Sequence, residues 1–384
     1  MGIIITPQHE IEAYFNTDAI SQSRLKTLKD GLEGLLKDQE KSEKDLFYSE
    51  KESFIKGSGV DMQLTGNPED FNNAHYVSVI EDKPSDTEMS IMHRTLALVV
   101  ENYDIVEEGF KPLAMYPGSL TQAVIDENWH GGNPGDKRMA TLVSKCTPYF
   151  DDLCKAHGKQ ILTTEEKNTI DAVTMSFKTN SLTKDYFDRE AQQRAVSVDV
   201  YYQLPIYFEH EGHECKALLD MLIVYKDDAN NITSVQPIDL KTMAGSTITF
   251  PRNVKMWRYD IQAAWYTLAV SKWLEEKETV GFAVIMPFMF LVESVHTQGN
   301  PLKFIVDEEL LNMGKSGRPA LMVNANTVTD DFDTTELHTI HFKEVKGYEQ
   351  MFDEYIYYQE YGTAQDRKIT ESRGVFRLNW NGIM

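Results

Sequence analysis

From residue 21 to about residue 37, the apolar side chains Leu25, Leu28, Leu32, Leu35 and Leu36 recur at intervals of three and four, which predicts an amphipathic helix with Ser21 near its N-cap. The stretch 38–52 is dense in Lys, Glu, Asp and Ser and reads as a solvated segment without chemistry of its own. Helical spacing resumes over 88–101, 139–155 and 165–179, and a loop is expected at Gly131, Gly132, Asn133, Pro134 and Gly135, between the first two. After residue 195 the pattern changes. Segments 195–208, 216–225 and 233–240 are rich in Val, Ile, Leu and Tyr and are separated by turn-forming stretches at 210–213 and 227–231, so consecutive strands of a meander are expected. A helix follows over 257–274, and the apolar run 280–292 reads as a strand that Pro287 must either bend or confine to an edge. Beyond 300 the pattern predicts a Gly- and Pro-containing loop region and a helix over about 343–361, and no internal repeat is visible.

Composition narrows the class. Hydrophobic residues make up 41% and charged residues 26% of 384, which excludes disordered and low-complexity chains. No apolar run approaches the length of a membrane span. The first residues lack the basic start and cleavage site of a secretory signal. They fit the loose N-myristoylation pattern, but a short first strand accounts for Ile3 to Ile5 equally well. Cys146, Cys154 and Cys215, an odd number with no Cys-x-x-Cys, argue against a disulfide framework or a cysteine metal site and for a reducing, cytoplasmic setting. The formal charge of −22, from 38 Lys plus Arg against 60 Asp plus Glu, excludes generic coating of nucleic acid. It leaves room for a local site in which metal ions or a basic lining face the ligand.

Candidate chemistry concentrates in Gln236-Pro237-Ile238-Asp239-Leu240-Lys241-Thr242. On a strand, Asp239 and Lys241 share one face while Leu240 points to the other, into the core. The preceding strand places Asp220 alone among apolar residues, where a charge needs compensation. If the two strands pair, Asp220 and Asp239 converge, and with the Leu240 carbonyl they offer hard oxygen ligands to a divalent metal. The triplet by itself is weak, since an acid two residues before Lys recurs at Glu81, Glu165, Glu214, Glu275, Glu344 and Asp366. The apolar context distinguishes it, as does the following helix, which carries Gln262 and Tyr266 four apart on one face.

In this combination the chain resembles the PD-(D/E)XK nuclease superfamily, in particular its exonuclease VIII-like and RecB-like branch from phage and bacterial recombination systems. Asp220 matches the first metal-binding Asp, Asp239 the second carboxylate, Lys241 the catalytic lysine, and Gln262 with Tyr266 the Q-x-x-x-Y element. The segment from Tyr14 to Leu28, with Ala19-Ile20-Ser21-Gln22-Ser23, is similar to the N-terminal part of these exonucleases. Gly57-Ser58-Gly59-Val60-Asp61 is similar to their G-x-x-x-H element, with Asp61 where the family usually has His. A second departure is Leu218, where related exonucleases often have Arg.

The resemblance implies an α/β, three-layer restriction-endonuclease-like fold with a central mixed sheet and flanking helices. It places an N-terminal helical region contributing Asp61 at 1–110, a helical connection at 111–159, the nuclease core at 160–295 and a C-terminal extension at 296–384. It further implies a Mg²⁺-dependent deoxyribonuclease, with Mn²⁺ as a substitute, that resects duplex DNA ends for recombination or repair. Metal ligands would be Asp220, Asp239, Leu240 and Asp61, with Lys241 completing the catalytic set. DNA is the implied partner, a single-strand annealing protein a further candidate, and a homo-oligomeric ring with an acidic exterior would reconcile the charge with the substrate. No membrane is implied, and the setting would be the host cytoplasm if the chain is phage-encoded. A structure-specific or single-strand endonuclease of the same superfamily, or a catalytically silent DNA-binding or protein-interaction module, stands beside this reading. Arg252, Lys255 and Arg258 form either a phosphate-contacting stripe or a solvated cationic face, and Lys137 and Arg138 have a weaker claim. Blander readings exist for the rest: a strand-bracing salt bridge for Asp220, Asp239 and Lys241, a surface aspartate in a Gly-rich turn for Asp61, and packing for Gln262 and Tyr266. The aromatic pairs Tyr201-Tyr202 and Trp257-Tyr259 fit core packing better than base stacking. The histidines, among them His93, His130 and His341, read as structural or exposed.

Overall fold

The computed structural model describes residues 2–30, 52–105, 109–195, 197–277, 283–319, 321–328, 335–342 and 344–361. Strands are β1 (Ile3–Ile5), β2 (His75–Val77), β3 (Gln160–Leu162), β4 (Val198–His210), β5 (His213–Lys226), β6 (Ile232–Met243), β7 (Val284–Ile285), β8 (Met289–Ser294), β9 (Leu302–Ile305), β10 (Leu321–Val328) and β11 (Thr335–Phe342). Helices, in chain order, are α1 (Gln8–Asn16), α2 (Gln22–Lys26), α3 (Glu52–Thr65), α4 (Asp70–Ala74), α5 (Asp86–Asn102), α6 (Pro117–Asp126) and α7 (Asp136–Ala156). They continue with α8 (Thr164–Thr179), α9 (Arg189–Arg194), α10 (Phe250–Trp257), α11 (Tyr259–Glu276), α12 (Glu308–Ser316) and α13 (Tyr348–Tyr361).

The main sheet runs β1-β4-β5-β6-β8-β9, with β7 also on β6. The meander β4-β5-β6 is antiparallel, whereas β1 lies parallel to β4 and β8 parallel to β6, so the sheet is mixed. It draws in β1 and β9 from outside 160–295. The tight turn between β4 and β5 holds Glu211 and Gly212 at φ 50° and 81°, the paired positive values that match the right-handed twist of a two-residue hairpin. The next turn is tied by the Asp227 carboxylate, which accepts from the Ala229 and Asn231 amides. Pro287 acts as a bend rather than an edge marker: it separates β7 from β8, and both pair with β6.

Both faces of the sheet are covered. On one, α2 with the 3-10 turn after it, and α11, bring Leu25, Leu28, Trp265, Ala269 and Val270 onto Ile206, Ala217, Leu219 and Val292. On the other, α3 and α8 bring Val60, Leu64, Ile170, Val173 and Phe177 onto Tyr202, Met221, Ile238, Leu240 and Leu291. The expected three-layer α/β arrangement is therefore present. A separate core of Met92, Val99, Leu120, Phe150 and Leu153 joins α5, α6 and α7.

Most of the expected elements form close to their sequence bounds. Ser21 caps α2, accepting from the Arg24 amide at 3.4 Å, and α2 passes into a 3-10 turn at Thr27–Asp30. The rest of the helix expected to residue 37, and all of 38–51, lie outside the described residues. The helix expected over 257–274 begins earlier and is broken, because Arg258 takes a left-handed φ of 52° between α10 and α11. The three cysteines are free and buried. Among the described residues no helix is long and apolar enough to cross a membrane.

Candidate active site

The regular pairing of β5 with β6 ends at Met221 opposite Ile238, so the next facing positions are Asp220 and Asp239. In place of a further ladder bond, the Leu240 amide donates to Asp220 Oδ2 at 2.7 Å. On β6 the alternation expected from sequence holds. Ile238 and Leu240 enter the core shared with α3 and α8, while Asp239 and Lys241 form an ion pair at 2.5 Å. Asp239 is 2% exposed and the Lys241 side chain 19%, so the carboxylate is sealed from solvent while the lysine side chain keeps some exposure. Asp239 Oδ2 is held by that charge rather than by a well-directed hydrogen bond. Its other oxygen accepts from Gln262 Nε2 at 2.6 Å. Gln262 and Tyr266 therefore share one face of α11, as their spacing predicts, and that face lies toward Asp239. Burial drives the Tyr266 hydroxyl well above its ordinary range, with the charges of Asp239 and Asp220 adding to the rise.

Asp61 sits on a helix and not in a Gly-rich turn. A Cβ at Gly57 would lie 3.1 Å from Thr242 Oγ1, and one at Gly59 would meet Ile170 Cδ1 at 2.7 Å. The two glycines thus let α3 approach both β6 and α8 closely, and that approach carries Asp61 toward Asp220 and Asp239. Burial pushes the Asp61 carboxyl up to about 7, with the Asp239 charge adding to the rise and Lys241 and Gln203 opposing it. Asp220 is raised well above the ordinary carboxylate range for the same reasons, burial first, then Asp61 and Asp239. Burial alone would lower the Lys241 ammonium, but Asp239 and Asp220 hold it raised. Three mutually repelling carboxylates and one ammonium thus share a low-dielectric pocket.

Two features of the site were not legible in the sequence. The first is Gln203, which faces Asp220 where the β4–β5 pairing lapses between Tyr202–Met221 and Leu204–Leu219. Its φ is 51°, a left-handed value that is uncommon for a side chain other than glycine. Across this point the pleat changes phase: Ala217 and Leu219 pack with the α11 side, but Met221 and Ile223 pack with the α3 side. Gln203 also donates to Thr65 Oγ1 at 3.0 Å, tying the kink to the end of α3. The second feature is Lys26 on α2. Its Nζ lies 5.3 Å from the centre of the Tyr259 ring, and Lys241 Nζ lies 5.0 Å from the same centre. Burial lowers the Lys26 ammonium to about 7, and the Lys241 charge lowers it further, against the pull of Asp239 and Asp260.

The basic stripe separates. Arg252 and Lys255 are exposed on α10, next to exposed Met256 and Trp257. Arg258 is only 12% exposed; its guanidinium binds Asp260 at 2.8 Å and the Lys346 carbonyl at 2.6 Å, so it braces α11. Tyr259 stacks on Phe250 and is part of the core, as the aromatic pattern predicts, whereas Trp257 is exposed. Lys137 and Arg138 lie exposed on the first turn of α7. His93 is half-buried against the Tyr149 hydroxyl at 3.1 Å.

The donor set suits a hard divalent cation in its chemistry. Asp61 Oδ1 is buried and has no hydrogen-bond partner, and its neighbours are carboxylates that an intervening cation would relieve. The set is not a ready-made cage. Among the described residues no three His, Cys, Asp or Glu side chains stand together closely enough to hold a metal. Lys241 on Asp239 and the Leu240 amide on Asp220 occupy oxygens that a cation would otherwise take.

No family model matches the chain, and no curated protein matches it. Among solved structures it is similar to a Eubacterium rectale protein described as a "putative exonuclease". The two are 16% identical with a TM-score of 0.27, over 71% of this chain and 79% of that one.

Proposed function

We propose that the chain is a metal-dependent nuclease that hydrolyses DNA phosphodiester bonds. The observation that carries this reading is the convergence of Asp61, Asp220 and Asp239 around an ion-paired Lys241 in a buried pocket. A structural salt bridge needs one carboxylate. Two more, each raised first by burial and then by neighbouring carboxylate charge, cost stability unless a cation or a phosphate-bound cation enters among them.

Asp220, Asp239 and Asp61 would hold Mg²⁺, joined by the Leu240 carbonyl. When bound, the ion supplies charge neutralisation at the phosphate and acidifies the attacking water. The protein's own groups do the positioning. Gln262 fixes one oxygen of Asp239 and the Leu240 amide fixes one oxygen of Asp220, which orients both carboxylates, and Lys241 would yield the other Asp239 oxygen when the site fills. Asp239 and Asp220 hold the Lys241 ammonium raised, so it stays charged through the ordinary pH range and would stabilise negative charge building on the phosphoryl oxygens. Exposed Arg252 and Lys255 lie on α10, soon after β6 in the chain, and offer contacts to the backbone of an approaching strand.

In finer detail we read the activity as exonucleolytic, trimming duplex ends. An end-labelled duplex incubated with Mg²⁺ should release mononucleotides or short oligonucleotides progressively from the ends, and chelator should stop this. Long internal fragments appearing first would assign an endonuclease on the same site. A duplex and a single strand both left intact with Mg²⁺ and with Mn²⁺ would overturn the nuclease reading.

A further inference from the structure

Lys26 is placed as no structural lysine needs to be. It lies on α2, whose Leu25 is fully buried against the sheet, and retains some contact with solvent while standing deep among protein atoms. Another ammonium, Lys241, approaches the same Tyr259 ring, and its charge acts on Lys26. The nearby carboxylates are already committed, Asp239 to Lys241 and Gln262, and Asp260 to Arg258. Among the described residues, the Lys26 ammonium forms no hydrogen bond or ion pair, and its direct contact is the ring of Tyr259. A cation–π contact offsets only part of the cost of burying a charge, and a second cation beside it adds to that cost. An apolar side chain would pack here without that penalty. Two ammoniums against one aromatic ring, in a chain of net charge −22, concentrate positive charge at one point of an otherwise acidic molecule.

We propose that Lys26 and Lys241, both held against Tyr259, form a seat for a phosphate group of the nucleic-acid strand, with Lys26 binding the substrate and Lys241 serving the reaction. This deepens the nuclease reading and rests on it for the identity of the strand. The division of labour follows from the partners. Lys241 is bonded to Asp239 at the centre of the carboxylate cluster, whereas Lys26 reaches the same ring from a different layer of the fold and has no carboxylate to position. An oxyanion resting between the two would neutralise their repulsion and be released when the strand leaves.

The test compares wild type, Lys26→Met, Lys26→Gln and Lys26→Arg in the full chain, each checked for a native circular-dichroism spectrum. In steady-state cleavage of a labelled duplex with Mg²⁺, Lys26→Met should raise KM by about tenfold or more while kcat stays within about threefold, as expected for loss of a charge-assisted contact made equally before and during the reaction. Lys26→Arg, which keeps the cation, should return KM to within about threefold of wild type. In the second arm, inorganic phosphate is added without metal, against chloride at equal ionic strength. It should raise the melting temperature of wild type and Lys26→Arg but not of Lys26→Met. Lys26→Gln replaces the Met variant in both arms if the latter does not fold. An unchanged KM, a fall in kcat at constant KM, or equal stabilisation of wild type and Lys26→Met by phosphate would each overturn the seat. If wild type cleaves no DNA, the nuclease reading falls in the first arm and the phosphate arm still decides Lys26.

Discussion

Asp239 is the residue on which the site's geometry depends: one oxygen is held by Gln262, the other by Lys241, and its charge raises both Asp61 and Asp220. Asp220→Ala and Asp239→Ala should each abolish Mg²⁺-dependent cleavage of an end-labelled duplex while leaving the fold intact. Retained activity in either would remove that residue from the site. Lys241→Ala should lower kcat by about 10²–10³-fold, as loss of a preorganised charge does, yet keep Mn²⁺ binding measured by calorimetry, because an ammonium is no metal ligand. Asp61 separates the two readings of its position. As a buried carboxylate with one unpartnered oxygen, it should on Asp61→Asn lose about tenfold or more in activity while gaining up to about 1 kcal/mol of metal-free stability, since a repelling charge is removed. A surface aspartate would show neither change. The opposite signs of the two effects are what mark a functional residue.

Close approaches between elements set the frame that holds these residues. A Cβ at Gly314 on α12 would lie 2.0 Å from the Asp260 carbonyl oxygen and 2.4 Å from its carbon, so α12 touches the first turn of α11 backbone to backbone. Gly314→Ala has no flexible side chain to push aside. It should cost at least about 3 kcal/mol in denaturant unfolding and displace the turn that carries Gln262. Gly59→Ala is the contrasting case. Its clash is with the terminal methyl of Ile170, which can move, so the cost should stay below about 2 kcal/mol. Equal losses at the two positions would mean that the backbone contact of α12 with α11 is not rigid. The kink at Gln203 belongs to the same scale. By shifting the pleat of β4 and β5 at one point, it leaves Asp220 at the pivot, bonded sideways to the Leu240 amide and outside both apolar cores.

Over the whole molecule, the net charge of −22 makes long-range attraction to DNA unfavourable, so binding must depend on a few local cations. Arg252 and Lys255 are exposed and Arg258 is not. Reversing Arg252 and Lys255 to Glu should weaken duplex binding and flatten the logarithmic salt dependence by about 0.9 per lost phosphate contact, leaving Mn²⁺ binding nearly unchanged. Arg258→Ala should act differently. It removes the partner of a buried carboxylate and should lower the melting temperature while leaving the salt slope of the remaining folded protein alone. An unchanged slope in the Arg252/Lys255 double reversal would assign α10 to solvent and direct attention to Lys137 and Arg138.

The periodicities of the chain were sufficient to locate the meander β4-β5-β6, the helices α5, α7 and α8, and the facing of Asp239 and Lys241 away from Leu240, because alternation and helical spacing are local properties of covalent geometry. The four-residue spacing of Gln262 and Tyr266 likewise determined that they share a face. Three things were decided only by tertiary structure. The break at Arg258 was decided by the carboxylate of Asp260 and the carbonyl of Lys346, the second of which lies far along the chain. The helical setting of Asp61 was decided by contacts that Gly57 and Gly59 permit against β6 and α8, which a reading of glycine as a turn signal misses. Lys26 looked like any other cation on an amphipathic helix, and nothing local distinguishes it from the other lysines. Its place beside Lys241 and Tyr259 exists because α2 and α11 cover the same face of the sheet, and that is set by which apolar surfaces are buried together.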